Sequence, residues 1–437
     1  MKGIWIALLL LLSMQSLFSQ TQELRAIEDA ARASDWKRVE QLSGVYLKRH
    51  PNDRSILYIL PLAQMRLGKF DRALVSAQHL RASDSLRIQP WLMISECEMA
   101  LNRMSDAVST LERVRVRFPD SVQATWALGM AYARSGRYEE AIEPLEEAMF
   151  RRPDVPGITE QLARCYHATG RFSESAELFQ AVTDRSPNNA DAWLKYGESL
   201  LATRKLDSAR RSFEMARRLQ PDSANAYLAL TAVLSELGRH DEALGVARTL
   251  TQRRPRDPQG WYNFGLLSLA AKQADTAIRC FRTAISIQPS YPEAYFNLAL
   301  AYEDQGFLED ASVALKRCAL TSSTMAPDAY NSLAIIYRRE GRFDESIATH
   351  TQAIALRDTS AIFHAARINT YFEASRCEQG SAIIELTRKR FPENADVLYA
   401  CARCYVRTGK RDDVAAIEAI LATKAPAMAE QLRLMMK

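Results

Sequence analysis

The sequence predicts an all-α solenoid, a row of antiparallel helix pairs stacked one on the next. Three observations predict it: a turn residue recurring every 34 positions, a proline column seventeen residues behind it, and helical apolar spacing between the two. Self-similarity at a fixed period of this length marks an array, in which no unit buries its apolar face alone and stacking supplies the core.

The turn column runs Ser34, Gly68, Asn102, Gly136, Gly170, Arg204, Gly238, Lys272 and Gly306, then, after one extra residue, Gly341, Ser375 and Gly409. Glycine there can take a left-handed backbone conformation, so one helix stops and the next folds back. Asn102 can do so at modest cost, whereas Arg204 and Lys272 predict looser turns. Five residues on lies a column of small side chains: Ala73, Ala107, Ala141, Ser175, Ala209, Ala243, Ala277, Ala311, Ser346 and Gly380. Small residues at that place let two helix axes approach closely.

The second column is Pro51, Ser85, Pro119, Pro153, Pro187, Pro221, Pro255, Pro289, Ser323, Asp358, Pro392 and Pro426. With 16 prolines in 437 residues, chance would place fewer than one among those twelve positions, yet nine are proline. Proline blocks continuation of the second helix and pushes the preceding residue toward extended geometry. Asp120, Asp154, Asn188 and Asp222 follow it and are the expected caps of the next helix. Between the columns Phe172, Ala176, Phe179 and Val182 share one helical face, as do Trp261, Phe264, Gly265 and Leu267. Pro61 and Pro144 fall inside expected helices, where they should kink them. Residues 427–437, with Leu432, Leu434 and Met435, read as a helix capping the last pair.

The N-terminus differs in kind. Lys2 precedes an apolar run from Ile4 to Leu12, and more polar and small residues follow to Gln20. This is the layout of a signal peptide, residues 1–19, cleaved near Ser19 or Gln20. The run falls short of the roughly 20 residues a membrane span needs. Export to the periplasm or beyond is the expected localisation, with peripheral membrane association left open. Composition agrees with a packed, soluble chain: 47% hydrophobic, 25% charged, and a net charge of only +5 from 57 basic and 52 acidic residues. No basic block points to nucleic acid.

The period and segments such as WALGMAYARSGRYEEAIEPLEEAMFRRPD and AYFNLALAYEDQGFLEDASVAL resemble the tetratricopeptide repeat. The similarity spans residues 22–426 in about twelve units, with the first, third and eleventh the weakest. The resemblance implies a right-handed superhelix whose first helices line a concave groove for peptides or partner helices. In that register Tyr58, Trp126, Met130, Leu194, Tyr262, Leu266 and Phe296 face the groove, with Leu62, Met65, Leu92, Met99, Leu201, Leu228, Leu269 and Leu300 beside them. Asn263 and Asn297, at equivalent places, are expected to hydrogen-bond a passing peptide backbone. Leucine or methionine stands where relatives that clamp terminal carboxylates carry asparagine, so that clamp is not expected. Glu160, Arg164, His167 and Glu198 form a charged stretch, and Glu303, Asp304, Arg338, Arg339 and Arg403 mark the C-terminal half.

Catalytic signatures are missing: no paired-histidine zinc helix, nucleophile elbow or phosphate-cradling glycine loop occurs, and the six histidines are dispersed. Neither a cofactor nor a metal is expected. Cys97, Cys165 and Cys404 share one repeat position and read as small core residues. Cys377 and Cys404 are a candidate disulfide, and a zinc site at Cys377, Cys401 and Cys404 lacks a second ligand pair. The expected function is a non-catalytic protein-binding scaffold of a bacterial cell envelope, with envelope proteins as partners. Two alternatives stay open: a structural subunit bound through its convex face or ends, and a peptide-recognition subunit of a separate enzyme.

Overall fold

The computed structural model describes residues 22–436; the signal-peptide segment lies outside the described residues. Those residues form 25 helices and no strand, in two compact units divided after Gln220. The first unit holds six helix pairs: α1 (22–32) with α2 (Trp36–Arg49), α3 (Arg54–Arg66) with α4 (Phe70–Ser83), α5 (Gln89–Ala100) with α6 (Met104–Arg117), α7 (Val122–Arg134) with α8 (Tyr138–Arg151), α9 (Pro156–Ala168) with α10 (Phe172–Arg185), and α11 (Ala190–Ala202) with α12 (Leu206–Leu219). The second holds six more: α13 (Ala224–Glu236) with α14 (His240–Arg253), α15 (Pro258–Ala270) with α16 (Ala274–Ile287), α17 (Pro292–Asp304) with α18 (Leu308–Thr321), α19 (Ala326–Arg339) with α20 (Phe343–Leu356), α21 (Ala361–Glu373) with α22 (Ser381–Arg390), and α23 (Ala395–Arg407) with α24 (Arg411–Lys424). A final helix, α25 (Pro426–Met436), packs on α23 and α24 through Ala429 and Leu432, while Leu434 points to solvent. Within each unit the pairs stack in sequence order, each helix against its neighbours in the chain.

Every residue of the turn column has a positive φ, and no other described residue does. Arg204 (φ 62°) and Lys272 (φ 58°) correct the expectation of looser turns, because they adopt the same left-handed conformation as Gly136 (φ 77°). The hydrogen bonds are the same as well. The Gly136 amide donates to the Ala133 carbonyl at 3.1 Å and Arg137 to Tyr132 at 3.0 Å; Lys272 donates to Leu269 at 2.9 Å and Gln273 to Ser268 at 2.8 Å. This double bond between the first helix's last carbonyls and the two residues beyond it closes the helix whatever side chain stands there. A side chain at such a φ costs about 1–2 kcal/mol, which the packed pair overrides.

The small column is buried at all ten of its positions. Ala73, Ala107, Ala141, Ala209, Ala243, Ala277 and Ala311 are all 0% exposed, and Ser175 and Ser346 likewise. The two serines have room to hydrogen-bond across, Ser175 to the Ala163 carbonyl at 3.0 Å and Ser346 to the Ala334 carbonyl at 2.7 Å. Close approach also explains Gly197 and Gly265 on first helices, where an added Cβ would lie 2.4 Å from Phe213 and 2.6 Å from Phe281.

The second helix ends two residues before each proline, as at Arg151 before Pro153 and Arg185 before Pro187, with the intervening residue out of helical geometry at ψ 71° in both. The expected caps are corrected by one position. Ser121 and Asn189 cap α7 and α11, accepting the Ala124 amide at 3.2 Å and the Ala192 amide at 3.1 Å, where Asp120 and Asn188 were expected. The proline and its successor form the turn, so the first residue able to reach the free amides comes next. Asp154 instead binds Arg152 (3.0 Å) and Asp222 lies 3.6 Å from Arg253. Pro61 and Pro144 are both buried, and α3 and α8 run through them without interruption. In several pairs a second recurring bond ties the first helix to the proline column. Trp193 and Trp261 donate their indole N–H to the carbonyls of Pro187 (2.8 Å) and Pro255 (2.9 Å), and His364 Nε2 makes the equivalent bond to the Asp358 carbonyl at 3.1 Å.

Candidate partner-binding faces

The first helices carry the expected contact residues, and the two units present different chemistry. In the first unit Trp126 and Met130 of α7 join Leu92 and Met99 of α5 around a cavity of about 420 Å³, closed by Ser95, Glu96, Gln123, Ala127 and Arg134. All four large apolar side chains are half-buried: enough is packed to fix their pose and enough is open to meet a partner. The Trp126 indole nitrogen is enclosed and has no hydrogen-bond partner. Tyr58 lies further toward the N-terminus, half-buried, its hydroxyl donating to Asp84 at 3.3 Å. Burial, then the Asp84 charge, raises its pKa. Leu194 departs from the expectation. It is 8% exposed, so little of it is left to meet a partner.

Beyond Met130 the same face turns polar. Arg134, Arg164, His167 and Lys195 border a second cavity of about 290 Å³ with Gln161 and Tyr138. Three of its four basic side chains are matched by carboxylates. Arg164 pairs with Glu160 at 2.8 Å and with Asp191; His167 Nε2 donates to Glu198 at 3.2 Å and Lys195 Nζ to the same carboxylate at 2.7 Å. Burial pushes the Glu198 carboxyl up, but the bonds from His167 and Lys195 outweigh it and hold it below its ordinary value.

In the second unit Tyr262 stacks at 5.0 Å on Tyr291 and 5.9 Å on Phe281, and its hydroxyl accepts the Asn297 amide at 3.1 Å. Leu266 and Phe296 are half-buried beside it, both packed on the core that includes Phe281 and Leu298. Asn263 and Asn297 both turn their amide N–H groups onto their own helices, to the carbonyls of Gln259 and Glu293 at 2.9 Å each. They therefore keep a side-chain carbonyl, an acceptor, as the group available to a peptide N–H. Further along, Arg339 pairs with Glu303, Arg338 with Glu373 at 2.6 Å, and Arg403 lies 3.9 Å over the Phe372 ring.

Cys377 and Cys404 form a disulfide with Cα atoms 5.3 Å apart, tying the irregular turn before α22 to α23. Cys97 and Cys165, at the repeat position of Cys404, are buried thiols, and burial pushes Cys97 up to about 12 and Cys165 to about 11. Thiols so held are inert packing groups. Among the described residues no group of three or more histidine, cysteine or acidic side chains is placed to hold a metal ion.

A model of the tetratricopeptide repeat matches residues 97–156, 161–224 and 197–260, and a model described as the middle TPR-like domain of cilia and flagella-associated protein 70 matches 246–357. The matched segments are tetratricopeptide repeats. No enzyme family is indicated, and tetratricopeptide repeats generally mediate protein–protein interactions. No curated relative matches the chain. Similar solved repeat structures include yeast Tom70 (13% identity, 95% of this chain and 96% of that one, TM-score 0.40) and YrrB, described as a TPR protein with an unusual peptide-binding site (18%, 43% and 96%, 0.39). The Cut9–Hcn1 structure of the APC/C is a third (12%, 90% and 98%, 0.38). Likeness at this level carries no argument about what the present tetratricopeptide repeats bind.

Proposed function

We propose that the protein is an exported, non-catalytic scaffold of the cell envelope that holds an amphipathic segment of an envelope protein against its first-helix faces. The observation that carries this reading is the cavity between α5 and α7, with Trp126 and Met130 facing Leu92 and Met99. Methionine adapts its shape to varied apolar partners, and half-buried aromatics anchor interfaces. Tyr262, Leu266 and Phe296 offer a second apolar stretch, with Asn263 and Asn297 beside it to meet a backbone. Export is supported by the N-terminal layout of Lys2 and Ile4 to Leu12, and by the Cys377–Cys404 pair, since disulfides persist in oxidising compartments. Among the described residues no helix is long and apolar enough to cross a membrane.

A structural-subunit reading has one observation in its favour. Val116 and Phe150, at the same place in successive second helices, are 85% and 89% exposed. Affinity capture from crosslinked envelopes separates the two readings, using wild type beside a Trp126→Ala/Tyr262→Ala variant. A partner lost in the variant supports binding on the first helices. Equal retention by both proteins removes that reading and favours attachment elsewhere.

A further inference from the structure

Nine residues after most turns, the second helix buries an apolar side chain in the core: Leu111, Leu145, Phe179, Phe213, Phe281 and Leu315 are all 1% exposed or less. In the tenth pair that place holds His350, at 0%. The next first helix faces it with the position that Leu128, Leu162, Leu230, Leu298 and Leu333 fill in other repeats, and here the residue is Arg367, 9% exposed. Arg338 takes the register place of Leu269 on the first-helix face, and Asn331 that of Tyr262, the ring that lies over Phe281. Packing does not ask for these side chains, because apolar ones serve the same backbone elsewhere in the array.

Their polar atoms are unmet. The Nε atoms of Arg338 and Arg367, both ring nitrogens of His350 and the Asn331 side-chain carbonyl have no hydrogen-bond partner. Arg367 keeps a single long contact, 3.4 Å to the Thr351 hydroxyl, and no carboxylate pairs with it. Arg338 has Glu373 on one side of its fork only. Burial first, then the Arg338 and Arg367 charges, pushes His350 down to about 3, so the imidazole is neutral and donates one N–H. A buried guanidinium without a counter-charge is costly unless something completes its bonds. The planar forks of two arginines suit an oxyanion, and a neutral imidazole adds a donor without charge.

We propose that Arg338, Arg367 and His350 form an oxyanion-binding site beneath the first-helix face of α19 and α21. Asn331 stands where an aromatic ring covers the core of the eighth pair, and the Arg338 side chain, 20% exposed, reaches solvent from the same helix. The oxyanion is either a free phosphate-like ion or a carboxylate side chain of a segment lying on the face. The inference stands apart from the α5–α7 cavity and does not need it.

Thermal unfolding of the whole mature chain tests the site, at constant ionic strength held with chloride, against inorganic phosphate and against a short acetylated glutamate peptide. The expected result is a saturable rise in Tm with at least one probe, lost in both Arg338→Gln and Arg367→Leu. Without probe, Arg367→Leu is expected to unfold at a higher temperature than wild type. A response to phosphate assigns a free ion, and a response to the peptide alone assigns a partner carboxylate. No saturable rise with either probe, or a rise retained in either variant, overturns the site.

Discussion

The eighth and tenth helix pairs share a backbone and differ inside. In the eighth, Phe281 is fully buried, with Tyr262 at 5.9 Å and Leu298 in the same apolar cluster. In the tenth and the first helix that follows it, the same three register places hold His350, Asn331 and Arg367. Both pairs keep the left-handed turn residue, Lys272 in one and Gly341 in the other, and both keep a small residue five positions later, Ala277 and Ser346. The repeat geometry is thus set by turn and close contact, and the interior between them can be given over to other chemistry.

The comparison breaks most visibly at the apolar core. Phe281→Ala is expected to cost about 3–5 kcal/mol through lost burial and the cavity left behind, read as faster native-state hydrogen exchange in α15 to α17. His350 sharpens the contrast through pH. Its folded pKa, about 3, lies below the 6.5 of a free imidazole, so as pH falls below that value the unfolded chain takes up a proton the folded one refuses. Stability present above the unfolded pKa is therefore lost toward the folded one, by up to about 3 kcal/mol between pH 7 and pH 4. Protection factors in α19 to α21, referred to the intrinsic exchange rate at each pH, should fall over that range in wild type, and this pH response should be absent in His350→Phe, whereas α15 to α17 carry no such group at the equivalent place. The smallest effect concerns the turns. Lys272→Gly should stabilise its pair by about 1 kcal/mol by removing left-handed strain, with a matching rise in the urea midpoint by circular dichroism.

The sequence showed the array because turn, proline and small-residue columns report backbone conformation and close approach, which depend on few atoms. All twelve turn residues took the left-handed conformation, including Arg204 and Lys272, where side-chain type alone suggested otherwise. The caps shifted by one position because the proline turn consumes two residues, a matter of local geometry that composition does not carry. Of the residues expected on the contact face, Trp126, Met130, Tyr262, Leu266 and Phe296 are half-buried while Leu194 is 8% exposed, a difference no linear pattern specifies. The cluster around His350 was hidden because the histidines look scattered along the chain. Aligning the core columns at the repeat period exposes it, since Arg367 then stands alone among leucines, aromatics and other apolar residues.

The central claim, that partners lie on the first-helix faces, is tested most directly by site-specific photocrosslinking in the envelope. A photoreactive residue would replace Met130 or Leu266 on first helices, or Val116 or Phe150 on second helices. The account predicts crosslinks to a partner from Met130 and Leu266 and none from Val116 or Phe150. Crosslinks confined to Val116 and Phe150 would contradict it and make the second helices the working surface.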